Sequence, residues 1–98
     1  MIKAKLPPQD TEAEQAVLGA MMVNKNSVIR VADSLTPEEF YKPAHQKIYE
    51  TMLELFSRRE PIDIVSLTSA LKKRKELEKI GGSAYLTELA NAVPSSSH

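Results

Sequence analysis

The stretch IDIVSL, residues 62–67, decides the fold class of this chain. Ile62, Ile64 and the β-branched Val65 are spaced as in a short strand. Asp63, however, is a good N-cap, and from it Ile64, Leu67 and Leu71 fall on one helical face. Helix is the better reading, because a lone strand here finds no partner elsewhere and its edges would stay unsatisfied. With this stretch helical, the whole chain reads as all-α.

Downstream, Lys72, Lys73, Arg74 and Lys75 suit the negative end of that helix. Leu77 and Ile80 fall in a short turn before Gly81-Gly82, where positive φ is available. Ser83 is expected to cap a last helix with the face Leu86, Leu89, Ala90 and Val93, stopped by Pro94. Upstream, Ser57-Arg58-Arg59-Glu60-Pro61 breaks a longer helix, AHQKIYETMLELFSR, that Pro43 restarts. Ile48, Met52, Leu55 and Phe56 mark its apolar side, broadened by Tyr49 and Leu53, and it is expected to be the central buried helix. His45 is expected to pack in or near the core and to hydrogen-bond there.

Thr36-Pro37-Glu38-Glu39 is the clearest local signal: an N-cap Thr, a Pro at the first helical position and a Glu at the third. Phe40 and Tyr41 are expected to end that turn and enter the core. Before it, Val28, Val31, Ala32 and Leu35 mark a short helix that follows a turn or cap at Asn24-Lys25-Asn26. The first helix starts after Asp10 or Thr11. Thr11-Glu12-Ala13-Glu14 fits a capping box, and both acids suit the positive end of the dipole. Ala13, Ala16, Val17, Ala20 and Met21 form its apolar stripe, widened by Leu18 and Met22. Gly19, inside it, costs about 1 kcal/mol relative to Ala, so close packing is expected there. Residues 1–10, with Pro7-Pro8, read as an extended arm. Residues 11–94 form the helical domain, and 95–98 a tail or the start of a linker. The sum is a compact globule of five or six short helices crossing at mixed angles.

Chemistry is scarce by comparison. Thirteen basic side chains balance thirteen acidic ones, which weighs against a general nucleic-acid binder. No cysteine is present, so disulfides and Cys-based zinc sites are excluded. No apolar run approaches a membrane span, and MIKAKLPPQD lacks the apolar region of a secretory signal, so a soluble cytoplasmic chain is expected. The three glycines, at 19, 81 and 82, never precede Lys-Ser or Lys-Thr, which excludes a phosphate-binding P-loop. His45 lacks the partners of a closed metal site, and no serine has a His or Asp arrangement around it. KKRKELEK, residues 72–79, is the densest positive cluster. Glu76 and Glu78 follow at once and no aromatic interleaves, so a solvated helix end is the better account. Tyr85 lies one residue off the Leu86 stripe, at the core edge with its hydroxyl outward, as interface tyrosines often are.

Four motifs in register carry a resemblance: PPQDTEAEQAVLGAMM, FYKPAHQKIY, PIDIVSL and LEKIGGSAYLTELANAVP. Their order and spacing, from Pro7 to Pro94, resemble the N-terminal domain of the replicative DNA helicase DnaB family. The resemblance implies a parent that assembles as a ring-shaped hexamer and unwinds DNA with ATP and Mg held by an absent motor domain. It implies that the N-terminal domains form a collar that docks the C-terminal domain of primase and, in some members, a helicase loader. DNA would be handled mainly through the absent domain. The family's helical hairpin follows the AVP segment and carries its main dimer contact, so the 98 residues alone are expected to be monomeric or weakly dimeric. By the same resemblance Glu12, in EAEQ, corresponds to an acidic position associated with primase response, and Tyr85, in GGxxYL, to an aromatic position at the primase-facing surface. Their replacement by Ala is expected to alter primase binding or stimulation and leave stability nearly unchanged. The competing reading is a helix-turn-helix DNA binder with residues 63–75 as recognition helix. A small enzyme has little support.

Overall fold

The computed structural model describes residues 10–92, and residues 1–9 of the arm, Val93, Pro94 and residues 95–98 lie outside them. Five α-helices follow one another: α1 (Thr11–Val23), α2 (Lys25–Ser34), α3 (Pro43–Ser57), α4 (Ile64–Lys73) and α5 (Gly82–Ala90). Two single 3-10 turns, Pro37–Glu39 and Glu78–Ile80, precede α3 and α5. No strand occurs among the described residues, and Asp63 caps α4 by accepting from the Ser66 N–H at 2.8 Å. The ambiguous stretch is therefore helical from Ile64 onward.

Helix α3 is the hub, with His45, Ile48, Tyr49, Thr51, Met52 and Leu55 all buried. It packs on α1, on α4 and on both 3-10 turns, while α5 closes the globule against α1 and α4. Leu18, Met21, Phe40, Leu67, Leu71, Leu86 and Leu89 complete the core. Tyr49 ties α3 to α2. Its hydroxyl donates to carbonyl oxygens at the end of α2, Leu35 O at 2.8 Å and Val31 O at 3.1 Å. Burial, helped by the charge of Glu39, pushes this phenol up to about 12. The Thr36 turn is built as its sequence implies, for Thr36 N–H donates to Glu39 Oε2 at 2.9 Å.

Several local expectations fail. Asp10, not Thr11, caps α1, accepting from Ala13 N–H at 3.0 Å. Glu14 is thereby freed from capping and turns inward. The buried stripe of α1 is Glu14, Leu18 and Met21, at helical spacing i, i+4, i+7, with Gly19 also buried. The alanines lie at its margin. Tyr41 is exposed, because the chain reverses there into α3, and only Phe40 points into the core. Phe56 is also exposed, lying one residue beyond the Ile48–Met52–Leu55 face. Ser83 does not cap α5; the preceding residue is Gly81, at φ 109° in the left-handed region. That conformation ends the 3-10 turn, and Gly82 N–H bonds back to Leu77 O at 2.9 Å.

Candidate functional site

The polar centre of the molecule lies where α1, α3 and α5 meet. Glu14, on α1, is fully enclosed, and its carboxylate faces the N-terminus of α3. That helix begins with Lys42-Pro43 and has no capping side chain of its own. Glu14 caps it from another helix: Oε2 accepts from Tyr41 N–H at 2.6 Å, and Oε1 lies 3.4 Å from Lys42 N. A carboxylate there also meets the positive end of the α3 dipole. Gln46 secures the same corner by donating to Phe40 O at 2.6 Å.

From Glu14 the network runs through His45 to α5. His45 Nδ1 lies 2.7 Å from Glu14 Oε1, and Nε2 lies 2.6 Å from the Tyr85 hydroxyl. The imidazole is wholly buried, and its pKa is held below 6.5. Desolvation is the main cause; Glu14 opposes it and the charge of Lys42 adds to it. A neutral ring fits the geometry, with Nδ1–H donating to the carboxylate and Nε2 accepting the phenol proton. The Tyr85 oxygen in turn accepts from Gln15 Nε2 at 3.2 Å, which returns the chain to α1.

Tyr85 is therefore not the outward-pointing tyrosine its position suggested. Its hydroxyl points inward, while its ring is only partly buried. The His45 ring lies nearly parallel to it, 12° apart with centroids at 5.9 Å, and Lys42 Nζ lies 5.1 Å from its centroid. Gly81 makes room for it, since a Cβ there would sit 2.9 Å from Tyr85 Cβ. The first glycine of GGxxYL thus has a steric role. Glu12 is exposed, one turn before Gln15 on α1, so α1 brings Glu12 to the same side of the molecule as Tyr85. Glu14, Gln15 and Lys42 are the members that sequence reasoning missed. Only Glu14 left a signal, its register with Leu18 and Met21.

A carboxylate–imidazole–hydroxyl chain has the connectivity of a hydrolytic triad. Here the imidazole is sealed in the core, and the three surface cavities described are lined by other residues. The arrangement locks helices together. Among the described residues no group of three or more His, Cys, Asp or Glu side chains is placed to hold a metal ion. No helix among them is long and apolar enough to cross a membrane.

The basic cluster of α4 is also partly engaged. Arg74 reaches Glu54 at 3.0 Å and Glu50 at 3.3 Å on α3, and Glu76 at 3.0 Å. Lys47 joins Glu76 at 3.2 Å. Carboxylates interleaved with the cations lower the local positive potential that phosphate binding needs.

Comparison with known proteins agrees with the fold and with the motif order. The family model described as DnaB-like helicase N terminal domain matches residues 6–98. The chain belongs to this family. The replicative DNA helicase DnaB of Geobacillus stearothermophilus is 45% identical over 98 residues, all of this chain and 22% of that protein. The replicative DNA helicase DnaC of Bacillus subtilis (strain 168) is likewise 45% identical over 98 residues, with the same 22% coverage. The chain thus spans 22% of the length of these two curated relatives. Among solved structures, the N-terminal domain of DnaB helicase from Mycobacterium tuberculosis superposes with a TM-score of 0.86 at 43% identity. That match covers 94% of this chain and 64% of the other. All-α architecture and membership of the replicative-helicase N-terminal domains are thereby established together.

Proposed function

We propose that this chain is the N-terminal assembly and docking domain of a hexameric replicative DNA helicase acting in the cytoplasm. In this reading the motor, with its ATP and Mg, and most of the DNA contact belong to the rest of the protein. In the same reading residues 11–94 are the docking globule, 1–10 an arm, and 95–98 a tail or the start of the linker to a helical hairpin. The partner docked is the C-terminal domain of primase, with a helicase loader as a further partner, and the hexamer is completed by self-association beyond these residues.

The observation that carries the reading is the match of all 98 residues, at 45% identity, to 22% of the length of a replicative helicase. The local geometry supports it. Tyr85 is an anchored aromatic at the edge of the core, beside a cation, and its hydroxyl accepts from Gln15, one turn of α1 after the exposed Glu12. Anchored aromatics of this kind contribute disproportionately at interfaces. Titration of the domain, extended through its hairpin, against the cognate primase C-terminal domain tests the proposal. Glu12→Ala and Tyr85→Ala are each expected to weaken binding at least about five-fold, the effect of a contact worth ~1 kcal/mol. Wild-type affinity in both variants would remove the docking assignment.

A further inference from the structure

We propose that Glu14 and His45 are positioning residues for docking: they hold the Tyr85 phenol, with the Lys42 ammonium against its ring, in one orientation before a partner arrives. This rests on the docking role proposed above for Tyr85. The observation behind it is that the contacts close on themselves. The backbone N–H groups of Tyr41 and Lys42 hold the Glu14 carboxylate. Glu14 holds His45, and His45 holds the Tyr85 hydroxyl. The side chain of Lys42 then returns over the Tyr85 ring. Glu14, His45 and the Tyr85 hydroxyl cannot turn without breaking a hydrogen bond of this chain, and its middle member, His45, is completely buried.

Such closure matters because a half-buried tyrosine and a lysine ordinarily lose rotamer freedom when a partner binds. Each side chain ordered in advance is worth about three- to ten-fold in affinity. The element presented is a cation beside an aromatic ring. It suits a partner segment that places a carboxylate next to an apolar side chain.

The same geometry makes the element sensitive to protonation. The charged groups facing His45 are Glu14 from α1 and Lys42 from the residue before α3, and the titratable phenol of Tyr85 faces it from α5. Neutral His45 accepts the phenol proton at Nε2. Protonated His45 donates from both nitrogens, so the phenol oxygen accepts from His45 and Gln15 together and its own proton loses the Nε2 acceptor. The phenol proton must then turn to another acceptor, which shifts the seat of Tyr85.

The test uses the full chain and the cognate primase C-terminal domain, titrated calorimetrically from pH 8 downward, with His45 followed by NMR. Tyr85→Phe keeps the ring and removes the bond to His45. It is expected to bind about five-fold more weakly at pH 8, with unfolding still cooperative. Wild-type affinity should fall by a similar factor across the His45 titration, while the Tyr85→Phe profile stays flat. If Tyr85→Phe matches wild type in affinity and pH profile while Tyr85→Ala loses binding, the ring docks and the positioning proposal is wrong. If Tyr85→Ala also binds as wild type, the docking reading itself falls.

Discussion

Two polar clusters tie helices together in this molecule, and they differ chiefly in their access to water. The Glu14–His45–Tyr85 junction joins α1, α3 and α5 inside the core. The Arg74 cluster joins α4 to α3 on the surface, through Glu50, Glu54 and Glu76. Both have good geometry, and the surface cluster has more formal charge. The difference lies in what replaces a lost partner. At Arg74 water enters at once. At Glu14 the abandoned His45 ring remains in a dry interior and bears the whole desolvation cost, while the Tyr41 and Lys42 N–H groups are only partly screened from water. Charge count is therefore a poor guide to which cluster holds the fold, and burial is a good one.

The sharpest way to break this comparison is Glu14→Ala. It strands two backbone N–H groups and the His45 ring, and it removes the cap of α3. A loss of about 3 kcal/mol or more is expected in urea unfolding, in the range for breaking a buried polar pair. Glu14→Gln, which keeps one acceptor and the shape, should lose clearly less. A loss below about 1 kcal/mol for Glu14→Ala would place the buried junction on the same footing as a surface pair.

The second prediction concerns the wall of the junction. Gly81 and Gly82 both have positive φ, 109° and 77°. A Cβ at Gly82 would meet nothing within 4 Å, so Gly82→Ala should cost about 1 kcal/mol from the left-handed backbone alone. A Cβ at Gly81 would lie 2.9 Å from Tyr85 Cβ and 3.3 Å from Cγ, and so would force Tyr85 off its seat. Gly81→Ala should therefore lose about 2 kcal/mol or more. Thermal unfolding of the two variants side by side measures the difference, and equal losses would mean that Tyr85 yields freely. The expectation that Tyr85 itself can be truncated without cost is revised for the same reason, since its hydroxyl is part of the junction.

These two clusters also show how far sequence reading reaches. The helices were legible because their signals are local: Asp63 caps within three residues, and Thr36 and Glu39 bond within the same turn. His45 was readable as a core histidine from its place near the start of an apolar helix. Glu14 was misread because Thr11 and Glu14 stand three apart, as a capping box requires, although Asp10 does the capping. Its register with Leu18 and Met21 was the competing signal. The partners of Tyr85 were out of reach altogether. They lie 40 and 70 residues away in the chain, and no local rule selects them.

Acidification separates the clusters by pH window. Burial holds the folded-state pKa of His45 below its value of 6.5 in the unfolded chain. Between the two, the unfolded chain binds more protons, so stability rises with pH. This contribution is complete above about pH 6.5 and is lost as pH falls from there through the folded-state value. In the surface cluster, desolvation pulls Glu76 upward, but Arg74 and Lys47 outweigh it and hold this carboxyl below 4.5. Its contribution is lost only as pH falls below 4.5. Urea midpoints measured from pH 8 to pH 5 should therefore decline in wild type and stay flatter in His45→Gln. An unchanged slope in that variant would assign the decline to other groups.

Arg74→Ala has the smallest expected effect and sharpens the comparison from the other side. Desolvation lowers the Arg74 pKa, but hydrogen bonds to Glu76 and Glu54 outweigh it and raise the value. By contact count alone it would rank as a major support. Its guanidinium is about one-third exposed, Glu50 and Glu54 more so, and at each oxygen water can replace the lost N–H. A loss of about 0.5–1 kcal/mol is expected at low ionic strength, in the range of exposed networks. It should shrink in 1 M salt, where the screening length falls to about 3 Å. The loss in Glu14→Ala should hardly respond to the same salt, because no ion reaches the core. If the two losses scaled together with salt, electrostatics at the surface and in the interior would be of one kind here, and burial would lose its explanatory place.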